Sequence, residues 1–133
     1  MMNDSAPNET RFEFDLQMTG QDTAAGAFTA KQAIEDDGKA FQVFWYTQEG
    51  RVQGIKTLVN QKGSITLKFD AAPQPDGVAT GHFVVIDGSG AYEHIHGQGD
   101  THAALVFGTL PGQADPVPTG ITGYYTGNIY IKS

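Results

Sequence analysis

The chain contains no cysteine, few cations and no long apolar run, and each lack closes off a class of function. Without cysteine there is no disulfide, no thiolate nucleophile and no thiolate metal site, and the redox compartment is left undecided. Eight Lys and Arg stand against fifteen Asp and Glu, a formal charge of −7. That balance opposes phosphate backbones and anionic lipid surfaces, so neither nucleic acid nor membrane is expected as a partner. No stretch approaches the roughly 20 apolar residues of a membrane span. Residues 1–10 are polar rather than a charged-then-apolar export segment, and the expectation is a soluble, cytoplasmic protein, although an export signal cleaved beforehand leaves no trace. No Ser-His-Asp pattern, phosphate loop or redox motif is present.

What the sequence does have is glycine, aromatics and alternation. Seventeen glycines and six prolines without a repeat period suit many short strands joined by tight turns. Fourteen aromatics in 133 residues argue against disorder, and the length suits one domain with a core of its own. The expected organisation is a polar tail over residues 1–10 and a single domain over 11–133.

Alternation places the strands. Over residues 11–19, Phe12, Phe14, Leu16 and Met18 share one face, and Arg11, Glu13, Asp15 and Gln17 the other. A second strand is expected over 26–35, with Asp36-Asp37-Gly38 as a hairpin turn into a third over 40–47. There Phe41, Val43 and Trp45 alternate with Gln42, Phe44 and Tyr46, so both faces carry aromatic surface and one needs cover. Further strands are expected over 51–60, with Gly54 as a bulge or bend, over 64–69, 78–86, 98–107 and 121–132. Residues 71–77 and 108–119, each with prolines, read as loops. About eight strands with hairpin-length connections favour an all-β, eight-stranded antiparallel up-and-down barrel, or a sandwich. A barrel removes the exposed edges, and one of eight strands is either filled by side chains or holds one small ligand.

The run over residues 86–100, I-D-G-S-G-A-Y-E-H-I-H-G-Q-G-D, breaks the alternation. Gly88 and Gly90 permit a sharp reversal, residues 91–96 suit one helical turn, and Gly97 and Gly99 flank the next strand. Gly88-x-Gly90 after a strand mimics a nucleotide fingerprint. It lacks the third glycine, the long helix and the βαβ unit that such a site needs. His82, His94, His96 and His102 fall within 21 residues, but the carboxylate spacing of a metal site is missing, and they read as rim or surface histidines.

Gly88-Ser89-Gly90-Ala91-Tyr92-Glu93 followed by Gly97-Gln98 resembles a glycine-rich corner of the allene oxide cyclases and the related dirigent proteins, which are small eight-stranded antiparallel barrels of calycin-like form. Phe12-Glu13-Phe14-Asp15 resembles the cyclase first strand, and Tyr125-Thr126-Gly127-Asn128-Ile129-Tyr130-Ile131-Lys132 its closing strand. The resemblance implies a cofactor-free cyclase or isomerase that orients a reactive unsaturated substrate, in a homo-oligomer, dimer or trimer. It also implies that Glu13 acts from the lumen, with Asp15 where the family has asparagine. Two carboxylates on one strand face repel each other. Plain amphipathic patterning says the opposite, that Phe12, Phe14 and Leu16 face the core while Glu13 and Asp15 meet water.

Trp45, Tyr46, His82 and Tyr125 are the candidate ligand-binding residues, with Phe44 and Tyr124 beside them, since apolar walls with a few polar handles suit a small apolar molecule. Trp45 and Tyr46 are adjacent and point to opposite faces, so only one can line the lumen. Three readings stay open: a cyclase or isomerase without metal or other cofactor, a non-catalytic ligand-binding barrel, and a filled structural barrel whose outer aromatics make an oligomer.

Overall fold

A computed structural model describes residues 9–32 and 34–132. Eight strands follow in order: β1 (Glu9–Met18), β2 (Thr23–Gln32), β3 (Asp36–Tyr46), β4 (Val52–Asn60), β5 (Gly63–Pro73), β6 (Val78–Gly90), β7 (Ile95–Gly108) and β8 (Val117–Ile131). Each pairs antiparallel with the next, and β8 returns to β1, closing an eight-stranded up-and-down barrel with no free edge. No helix long and apolar enough to cross a membrane occurs among the described residues. Residues 1–8 of the expected tail lie outside them.

Alternation does the sorting. Phe12, Phe14 and Leu16 of β1 face inward with Phe28 and Ala30 of β2, Ala40 and Phe44 of β3, Leu58 of β4, Ile65, Leu67 and Phe69 of β5, Phe83 of β6 and Ile121, Tyr125 and Ile129 of β8. Phe12, Phe14, Phe69 and Phe83 surround Tyr125 or one another at centroid distances of 4.8–6.4 Å, within the range that aromatic pairs favour. The outer face of β3 carries Phe41, Val43 and Trp45, all well exposed.

Several boundaries move from their expected places. Asp36-Asp37-Gly38 lies inside β3 rather than in a turn, and the chain reverses beyond Gln32, whose φ is 89°. A Cβ on Gly38 meets the Phe28 ring at 2.9 Å, so this glycine makes room instead of bending the chain. Gly54 is likewise no bulge: its register is regular, and a Cβ there meets Phe69 Cζ at 2.5 Å. The register shifts fall between Thr66 and Leu67, opposite Ile86, and between Val106 and Phe107, opposite Thr119. The prolines do not end the strands as expected. β5 runs on to Pro73, and β8 begins at Val117 with Pro118 beside the second shift, a place where a missing N–H is tolerated.

The two ends differ. At one, the β2–β3, β4–β5 and β6–β7 connections meet the glycine-rich corner. Gly90 there has φ 63°, Tyr92 donates to Asp36 Oδ2 at 2.5 Å and accepts from Asn60 Nδ2 at 3.0 Å, and Lys62 Nζ reaches Asp36 Oδ1 at 2.6 Å. Burial works against the Asp36 charge, but the hydrogen bonds from Lys62 and Tyr92 outweigh it and hold its pKa below the ordinary value. With Tyr92 and Ile95 buried behind it, this network plugs that end. The opposite end, between the β3–β4, β5–β6 and β7–β8 connections, opens onto a cavity of about 110 Å³.

Candidate functional site

The site begins with one lysine in the inward phase of β4. Val52, Gly54, Lys56 and Leu58 alternate with Gln53, Ile55, Thr57 and Val59, and pairing puts Lys56 opposite Gln42 on β3 and Leu67 on β5. Both partners face the lumen, so Lys56 must do so too, and it is 1 % exposed. Its chain crosses towards the far wall, where Nζ donates to the Tyr125 hydroxyl at 2.9 Å. β4 and β8 lie on opposite sides of the ring, so the pair forms a bar across the lumen.

Nζ lies 3.9 Å from the centroid of the Phe14 ring, 4.1 Å from that of Tyr125 and 5.5 Å from that of Phe69. Such ring faces attract a cation. No carboxylate pairs with Lys56 among the described residues. Burial dominates and pushes its pKa from 10.5 down to about 7. The same burial pushes the Tyr125 phenol upward, so it stays a hydroxyl at any physiological pH.

Tyr125 also lines the open-end cavity, with Phe44, Phe69, Ala71 and Ile121 as apolar wall and Gln42 and Thr101 as polar handles. Thr101 is paired with Tyr125 in the β7–β8 register, is 2 % exposed, and its Oγ1 has no hydrogen-bond partner. A buried hydroxyl without a partner costs roughly 1–3 kcal/mol. The arrangement combines an apolar mouth, an unsatisfied hydroxyl and, against Tyr125, an amine poised near neutrality.

Of the residues expected from the sequence, the structure brings Tyr125 and Tyr46 to this cavity. Tyr125 is at its floor. Tyr46 is at the rim, 60 % exposed, edge-on to Phe44 at 6.3 Å. Trp45 points outward, its Nε1 donating to Gln53 at 3.2 Å, and His82 lies outside with Nδ1 3.3 Å from Asp100.

Glu13 and Asp15 also stand on the outer face, because Phe12, Phe14 and Leu16 take the inward phase of β1. Glu13 accepts from Arg11 Nε at 2.9 Å, and the Arg11 guanidinium covers the Tyr124 ring at 3.9 Å. Glu13 therefore has no access to the lumen, and the placement implied by the family resemblance is replaced by that of plain patterning. The histidines are likewise outside: His96 stacks on Tyr130 and His102 on Tyr124. No group of three metal-ligating side chains occurs among the described residues.

Lys56 and Thr101 are the functional candidates that sequence reasoning missed. Comparison with protein-family models, curated proteins and solved structures finds no match for the chain.

Proposed function

We propose that the barrel binds a small, largely apolar molecule in its open mouth, with one oxygen of that molecule directed at the Tyr125–Lys56 bar. The observation that carries this reading is the asymmetry of the lumen. One end is plugged by Tyr92 and Asp36, while the other is an apolar cavity floored by a buried polar pair. Small-ligand sites use this combination of apolar walls and a few convergent polar groups. Glu13 stands outside the lumen, so the proposed site rests on Lys56 and Tyr125 instead of that carboxylate.

The test is a screen of small aldehydes, ketones, alcohols and carboxylic acids by native mass spectrometry, with Ala103→Phe as the blocked comparator. Ala103 lines the mouth beside Ile121, and a phenyl ring there occupies the space that a ligand needs. Binding is expected to the wild type and to be at least tenfold weaker in the variant, with the far-ultraviolet circular dichroism of the two unchanged. Equal binding by both overturns the reading.

A further inference from the structure

We infer that Lys56 is a covalent carbonyl site: its amine forms an imine with an aldehyde or ketone entering the open mouth, and Tyr125 relays the protons. The inference rests on the ligand-binding reading and names the class of molecule that the cavity takes.

Four observations carry it. Among the described residues Nζ makes one hydrogen bond, to Tyr125, at 2.9 Å. Of the side chains that face it, Phe14 from β1, Gln42 from β3, Leu67 and Phe69 from β5 and Tyr125 from β8, only Tyr125 titrates and none bears a charge. A buried amine without a counter-charge sheds its proton readily, and the free amine is the nucleophile. Tyr125 lines the cavity and Lys56 lies directly behind its hydroxyl, so a molecule resting on Tyr125 reaches Nζ as that hydroxyl gives way.

The chemistry balances without a further reactant. The Nζ lone pair attacks the carbonyl carbon, and the C=O π pair moves to oxygen. The Tyr125 hydroxyl gives its proton to that oxygen as it takes one from nitrogen, leaving a neutral carbinolamine. The nitrogen lone pair then forms C=N, and the C–O bond breaks. The oxygen leaves as water carrying both hydrogens of the amine. A phenol that stays protonated suits this relay, since it must give one proton and take another in the same step.

The experiment incubates the full chain at pH 7 with benzaldehyde and cyanoborohydride, which reduces an imine to a stable secondary amine, and reads intact mass and peptide map. Six lysines are present, so the peptide map tests Lys56 against five others. A reduced adduct mapped to Lys56 is expected, separate in the peptide map from labelling of the chain's α-amine, absent from Lys56→Met and formed at least tenfold more slowly in Tyr125→Phe with the same end point. Benzyl alcohol, a probe of similar shape without a carbonyl, is measured in parallel for non-covalent binding. If benzyl alcohol binds and Lys56 remains unmodified, the covalent inference falls while the ligand-binding reading stands. Labelling confined to exposed lysines, or equal rates in wild type and Tyr125→Phe, also overturns it. If neither probe binds or reacts, both readings fall.

Discussion

An ammonium group held away from water and from any carboxylate favours the unfolded chain, because only there is its charge solvated. For Lys56 the drop from 10.5 to about 7 corresponds to roughly 5 kcal/mol. The ring faces of Phe14 and Tyr125 offset up to about 2 kcal/mol of this while the amine is charged. Below about pH 7 both folded and unfolded chains hold the proton and the penalty is constant. Between about 7 and 10 the unfolded chain holds a proton that the folded chain has lost, so stability rises with pH. Above 10 the buried Tyr125 phenol reverses the trend, since the unfolded chain then ionises a group that the folded one keeps protonated. Lys56→Met removes the amine and leaves the Tyr125 hydroxyl unpaired, a cost of about 1–3 kcal/mol. The variant is expected to be more stable than the wild type by about 2 kcal/mol at pH 6, with the gain vanishing at about pH 8–9 and reversing above it. Urea midpoints from pH 6 to 10 check this, and a difference that does not change with pH contradicts it.

At the scale of the element, the hairpin between β4 and β5 shows what was legible in the sequence. Ile65, Leu67 and Phe69 were in clear phase, and Gln61-Lys62 is a two-residue connection that pairs Asn60 with Gly63. That register already places Lys56 beside Leu67 on the inward face. It was missed because β4 has an ambiguous alternation of its own, with Ile55 and Val59 outward and Gly54 and Lys56 inward, so the pattern must be read from the partner strand. Glu13 was drawn inward by a family resemblance, against the uniform apolar phase of Phe12, Phe14 and Leu16, and the phase prevailed. The glycine-rich corner stands out in the sequence as a singular element, but its chemistry is that of a plug: the buried Tyr92 bonds Asp36 and Asn60, 56 and 32 residues away, with Ile95 in the same core. Tyr92→Phe removes the charge-assisted hydrogen bond to Asp36 and one acceptor of the Asn60 amide, which keeps its bond to the Asp37 carbonyl, for an expected loss of about 1–3 kcal/mol at neutral pH. Asp36 has a lowered pKa, so its contribution is present above the ordinary carboxylate range and lost as pH falls through its folded value. The gap between wild type and variant is expected to narrow below pH 4, as followed by thermal unfolding, while ligand binding at the opposite mouth is unchanged. Loss of binding in Tyr92→Phe contradicts the division of the lumen into two ends.

For the whole molecule, the decisive event is closure. Seven of the eight strand pairings join neighbours in sequence, whereas β1 and β8 bring Phe12 beside Tyr125 from opposite ends of the chain. Joining distant segments sacrifices chain entropy before any contact repays it, so this pairing is expected after the local hairpins rather than before them. The hairpins from β2 to β7 need no such closure and can form first, with the β1–β8 seam sealing last around the Lys56–Tyr125 bar. Phe12 is fully buried in that seam, against the Phe14 and Phe83 rings. Phe12→Ala is expected to cost about 3–5 kcal/mol. Because the seam forms after the rate-limiting step in this order of events, that cost falls mainly on the unfolding rate and leaves the folding rate within about threefold of wild type. Stopped-flow folding and unfolding in urea measure both arms. A folding rate that drops in proportion to the full loss of stability places the seam in the nucleus, and closure then precedes the hairpins.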